Sequence, residues 1–115
     1  MKGVAVLDRA EAETYAGWFR ALADPTRVQI LHLIASADRP LSVGEIVEQV
    51  SVSQSTVSAH LKILTEARFV LVQPHGTARL YRVNERCLSC FPSAADVVMG
   101  RAAVPFADIA CEVPR

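Results

Sequence analysis

Apolar residues recur along this chain first at helical spacing and then, for one stretch, at strand spacing. From Asp8 to Ala23, Tyr15, Trp18, Phe19 and Leu22 fall at i, i+3, i+4 and i+7, with Glu11 and Glu13 near the start, where the helix dipole favours carboxylates. This predicts an amphipathic helix whose bulky stripe needs a partner surface, either the chain's own core or a dimer interface. Asp24 then reads as an N-cap and Pro25 as the first residue of a second helix, where its missing N–H costs nothing. Val28, Ile30, Leu31, Leu33 and Ile34 wrap much of its circumference, which predicts a central helix. His32 lies within that run and is expected to be a hydrogen-bonded core or boundary residue.

After a loop from Ser36 to Pro40, Ser42-Val-Gly-Glu45 has the form of a capping box opening a short helix with Val43, Ile46, Val47 and Val50 as its apolar positions. Ser51-Val52 turns into the next helix, capped by Ser53, whose Val57, Leu61 and Leu64 recur at i, i+4 and i+7. At 100° per residue, Ser55, Ser58, Ala59 and Lys62 fall on the opposite side. Two short helices joined by a tight turn, the second polar outside, form a helix-turn-helix. The period then drops to two. Phe69-Val-Leu-Val-Gln73 and Ala78-Arg-Leu-Tyr-Arg-Val83, separated by Pro-His-Gly-Thr, read as a β-hairpin, and a hairpin directly behind such a helix is a wing. A short helix is expected from Ser93 to about Arg101, with Asp96 closing another capping box, and regular structure is expected to fade after Ala103. The fold class is therefore mainly α with a β-hairpin wing. Residues 1–103 form one winged domain, and 104–115 a tail carrying Cys111.

Composition narrows the partners. With 115 residues, 51% of them apolar and 21% charged, the chain is one domain of ordinary size. The apolar run Gly3 to Leu7 is too short for a signal peptide, and no uncharged run approaches a membrane span, so the expected location is cytoplasmic, with no membrane partner. Net charge is zero, which by itself argues against a polyanionic partner. Its distribution answers that objection. From Ser51 to Arg82 stand Lys62, Arg68, Arg79 and Arg82 against Glu66 alone, a net +3 that the remaining eight cations and eleven carboxylates offset.

Short hydrogen-bonding side chains and one cation on an exposed helix face suit a major groove, with hydroxyls near base edges and the ammonium near phosphate. Arg79 near the wing tip suits backbone phosphate or the minor groove, with His75 and Thr77 beside it. The plainer alternatives also stand at this point: an ordinary amphipathic helix with a polar outer face, and solvated strand charges at Arg79 and Arg82.

Leu22-Ala-Asp-Pro-Thr-Arg-Val-Gln-Ile-Leu31, followed by Ser53-Gln-Ser-Thr-Val-Ser-Ala-His-Leu-Lys62 and the hairpin, resembles the ArsR/SmtB family of metal- and metalloid-responsive repressors, from about Tyr15 to Asn84. The resemblance implies a homodimeric winged helix that represses double-stranded operator DNA and lets go when a ligand binds, and no enzyme. The family's DNA-reading positions map onto Gln54, Ser55 and Ser58; Thr56 and Lys62 join them by position, and His60, beside the buried stripe, takes a framework role. The family's cysteine pair at the start of the third helix corresponds here to Ser42 and Gly44, which are not soft-metal ligands, and the zinc-sensor pattern of its last helix is absent.

All three cysteines, Cys87, Cys90 and Cys111, lie instead in the divergent C-terminal end, outside the DNA-reading half. Three thiolates suit As(III) or Sb(III), whereas Cd or Zn would want a fourth donor. Such an ion would be an effector, and no obligatory cofactor is implied. A redox switch at Cys87 and Cys90, forming a disulfide or persulfide, is a second reading, and three thiols with no sensory task a third. Two other classes remain: a small thiol-dependent enzyme, for which the sequence offers neither a βαβ pattern nor a visible helix start, and a winged-helix module that binds protein.

Overall fold

The computed structural model describes residues 6–100, with the side chains of residues 87–93 outside that description. The elements follow in the order α1 (Arg9–Ala21), α2 (Pro25–Ser36), β1 (Leu41–Ser42), α3 (Val43–Gln49), α4 (Gln54–Glu66), β2 (Val70–His75), β3 (Ala78–Val83) and α5 (Glu85–Val98).

Each of the first four helices starts where a short polar side chain can meet an orphan backbone N–H. Asp8 accepts from Ala10 N at 3.1 Å, and Asp24 from Arg27 N at 3.0 Å with Pro25 behind it. Ser42 Oγ accepts from Glu45 N at 3.2 Å while Glu45 Oε1 accepts from Ser42 N at 2.9 Å, a complete capping box. Ser53 Oγ accepts from Thr56 N at 3.2 Å.

The end of α4 is closed differently. Arg68 turns to φ +67°, Arg68 N donates to the Thr65 carbonyl and Phe69 N to that of Leu64, both at 3.0 Å, which is the double bond of a Schellman motif. Phe69 and Leu64 are both buried, as the motif's apolar contact requires.

One apolar cluster joins all the elements. Tyr15 and Trp18 pack edge to face, with ring centroids 5.5 Å apart, and both are buried within the chain's own core. Ile30 and Ile34 of α2, Ile46 of α3, and Val57, Leu61 and Leu64 of α4 meet at the centre. Of the five apolar residues expected to wrap much of the circumference of α2, four pack on the core. Ile30 and Ile34 are buried and Leu31 and Leu33 are half-buried against the same core, whereas Val28 is 47% exposed and His32 is exposed rather than a core or boundary residue. α2 packs chiefly against α4 and β3.

Local patterning missed three further features. Leu41 and Ser42 form a short strand paired with β3, opposite Tyr81 and Leu80, so the sheet has three antiparallel strands in the order β1-β3-β2. The wing turn is tighter than expected: β2 runs on through Pro74 and His75, and only Gly76 and Thr77 remain between paired His75 and Ala78. Gly76 supplies φ +64° at the first turn position, where a residue with a Cβ would be strained.

The last helix is not a short one capped by Ser93. It begins at Glu85, capped by Asn84, whose side chain accepts from Arg86 N, and it runs through Pro92 to Val98. Cys87 and Cys90 therefore stand three apart in one helix, Cys87 in its first turn, although their side chains lie outside the described residues. Cys111 and the expected loss of regular structure after Ala103 lie outside them entirely. No helix among the described residues is long and apolar enough to cross a membrane.

Candidate nucleic-acid interface

α4 carries its two faces as helical geometry requires. Val57, Leu61 and Leu64 are at most 1% exposed, whereas Ser55, Ser58, Ala59 and Lys62 are exposed on the other side and Gln54 is exposed at the helix start. Thr56 differs from these: it is half-buried, and its hydroxyl lies 2.9 Å from Ser53 Oγ, within the cap. The Ser55 hydroxyl lies 3.1 Å from the same Ser53 oxygen, so the first turn of the helix is a small hydroxyl cluster.

The wing folds back beside this helix. Between them lies a cleft of about 600 Å3, lined by Ser58 and Lys62 from α4, Thr77 from the turn, and Arg79 from β3. Glu66 and Tyr81 form part of the same wall. The fold thus brings four of the eight expected DNA-contacting residues to one concavity. Gln54, Ser55 and Thr56 stay at the N-terminal turn, and His75 is exposed on β2 next to the turn. Among the described residues, neither Lys62 nor Arg79 has an ion-pair partner, so both cations are available to an external anion.

What stands behind α4 is polar as well as apolar. His60, with its side chain only 15% exposed, places Nδ1 3.2 Å from Arg27 Nη1 and Nε2 3.8 Å from Asp24 Oδ1. Arg27 Nε also donates to the Ala21 carbonyl at 2.7 Å. The Arg27 backbone N–H holds the Asp24 carboxyl below its ordinary value, with the Arg27 guanidinium acting in the same direction. The framework role expected for His60 has partners here that spacing alone did not reveal. The only trace in the sequence was that Asp24 and Arg27 belong to one motif and His60 to the other.

Among the described residues, no group of three or more His, Cys, Asp or Glu side chains is close enough to hold a metal ion, and the three cysteine side chains lie outside them.

Comparison with known proteins agrees with this arrangement. The family model described as bacterial regulatory protein, arsR family, matches residues 24–71, from the cap of α2 into β2. The chain is 37% identical over 91 residues to the HTH-type transcriptional regulator Rv2034 of Mycobacterium tuberculosis, covering 79% of this chain and 83% of that one. It is 38% identical over 87 residues to a probable mercury resistance operon repressor of Streptomyces lividans, covering 76% of this chain but only 63% of the relative, so the chain spans under two thirds of that protein. Among solved structures, the homodimeric winged helix-turn-helix DNA-binding domain Mb0332 of Mycobacterium bovis, a possible ArsR-family transcriptional regulator, superposes with a TM-score of 0.66 at 28% identity. That match covers 90% of this chain and 94% of the other. With both motifs and the wing in place, and a 37%-identical relative matched over 83% of its length, the chain belongs to the arsR family of bacterial regulatory proteins and has its winged helix-turn-helix fold.

Proposed function

We propose that this protein is a homodimeric transcriptional repressor that holds double-stranded operator DNA through α4 and the wing. One observation carries the reading: the Ser58 hydroxyl and Lys62 ammonium of α4 and the unpaired Arg79 of the wing open onto one cleft. Gln54, Ser55, Thr56 and Ser58 meet base edges and phosphate at the start of the helix, Lys62 meets phosphate, and His75, Thr77 and Arg79 follow the backbone or the adjacent minor groove. Two copies related by a twofold axis place two such helices roughly 34 Å apart on one face of the duplex. The homodimeric state of the Mycobacterium bovis neighbour supports that pairing.

Release is assigned to a thiophilic effector, As(III) or Sb(III), on Cys87, Cys90 and Cys111. Two observations support the assignment. Cys87 is the third residue of α5, and the start of a helix favours the thiolate, the form that binds soft ions. The Streptomyces relative is named for mercury resistance, and mercury is thiophilic. Cd or Zn with a fourth donor, and thiol oxidation, are the competing triggers. Whatever the trigger, it must bind the DNA-free geometry more tightly than the DNA-bound one.

The test uses reduced protein bound to a duplex carrying the DNA upstream of its own coding sequence, titrated with arsenite, antimonite, mercuric ion, cadmium, zinc and peroxide. Arsenite or antimonite is expected to release the duplex, and Cys→Ser changes at 87, 90 and 111 are expected to abolish release without weakening DNA binding. If all three variants respond like the parent, the thiol assignment is wrong. If the parent shifts no such duplex, the repressor reading is wrong.

A further inference from the structure

α4 is held to the core by Val57, Leu61 and Leu64, and apolar packing of this kind is non-directional. It fixes how deeply the helix sits far better than how it is rolled about its axis. Roll matters for reading DNA. Side-chain tips lie about 6 Å from a helix axis, so a roll of about 20° swings them by about 2 Å, enough to break a hydrogen bond.

A directional anchor exists at His60. Its ring sits 3.2 Å from Arg27 Nη1, two residues from Ser58 on one side and from Lys62 on the other. Arg27 is itself pinned twice, by its Nε to the Ala21 carbonyl and by its backbone N–H to Asp24 Oδ1. The anchor thus ties the last residue of α1, the first turn of α2 and the middle of α4. A guanidinium has donors only, so Arg27 donates and His60 Nδ1 accepts. That polarity requires a neutral imidazole with its proton on Nε2, the nitrogen that faces Asp24 Oδ1 at 3.8 Å.

We propose that Arg27 is a positioning residue for the DNA-reading helix, setting the roll of α4 through its hydrogen bond to His60 Nδ1. The proposal rests on the repressor reading above. Arg27 touches no DNA in this scheme; it acts on Ser58 and Lys62 by holding the residue between them.

The experiment compares the parent with Arg27→Met, His60→Leu, the double variant and His60→Asn, whose side-chain oxygen replaces the Nδ1 acceptor. Affinity for the upstream duplex is measured across a range of salt concentrations together with thermal stability, and ring 15N NMR of the free parent reads the His60 tautomer. The expected tautomer is Nε2–H. Arg27→Met and His60→Leu are each expected to weaken binding about tenfold or more with an unchanged salt slope, because no phosphate contact is lost. The double variant should be no weaker than either single one, and His60→Asn should return affinity to within about threefold of the parent. A ring protonated on Nδ1, additive losses, or a salt slope lowered by about one in Arg27→Met would each overturn the proposal, the last because it would make Arg27 a phosphate ligand. A parent that binds no upstream duplex overturns the repressor reading and this proposal together, whereas normal parent binding with inert variants overturns this proposal alone.

Discussion

The side-chain amide of Asn84 donates to the carbonyl of Arg68, 2.7 Å away across the base of the hairpin. Asn84 is only 8% exposed, its backbone N–H reaches the Phe69 carbonyl at 2.9 Å, and its Oδ1 accepts from Arg86 N. One residue therefore closes the end of α4, joins the ends of β2 and β3, and starts α5. Replacing Asn84 by Ala removes the bond to the Arg68 carbonyl and a helix cap, an expected loss of about 1–3 kcal/mol. Urea unfolding measures it, and a loss under about 1 kcal/mol would mean that water replaces both bonds.

Arg68 holds a left-handed backbone, φ +67°, that side chains with a Cβ resist. Arg68→Gly and Arg68→Val both discard the arginine's own contacts, so the difference between them isolates the backbone term. Glycine is expected to be the more stable by about 1 kcal/mol, again by urea unfolding. Equal midpoints would mean that the turn relaxes.

The start of α3 should be acid-sensitive. The Arg39 guanidinium, helped by the Ser42 backbone N–H, pulls the Glu45 carboxyl down from 4.5 to about 2. A carboxylate whose pKa is lower in the folded state than in the unfolded chain stabilises the fold above the unfolded value. That contribution is lost as pH falls through the folded value. The parent is therefore expected to lose stability between about pH 4.5 and 2, and Glu45→Gln should lose less across that window. Urea midpoints at pH 5 and 2.5 for both proteins make the comparison, and parallel losses would contradict it.

Operator affinity should fall steeply with salt if Lys62 and Arg79 meet phosphate. Each contact removed by Lys62→Ala or Arg79→Ala is expected to flatten the log-log slope by about 0.9. Ser58→Ala should leave the slope alone and instead alter the preference among duplexes of different sequence. Fluorescence anisotropy at several salt concentrations separates the two effects, and a salt-independent complex would remove both cations from the interface.

Much of this architecture was legible before any coordinates. Caps at Asp24, Ser42 and Ser53, the Val57/Leu61/Leu64 stripe and the hairpin were all readable from residues no more than a few positions apart. Interactions of that range are chemical facts of the chain itself: a hydroxyl meets an N–H two or three residues on, and side chains at i and i+4 share a face in any helix. The pairing of Leu41 with Tyr81, the start of α5 at Asn84 rather than Ser93, the exposure of His32 and the contact of Arg27 with His60 were not legible. The Asn84 cap is itself local, its side chain accepting from Arg86 N two residues on, and competes in the sequence with the Ser93 box; the others depend on segments far apart in the chain meeting in space. Residues 27 and 60 carry no local sign of one another, and whether a polar atom is a cap, an anchor or a solvated tip depends on which distant groups the packed core brings within 3 Å or so of it.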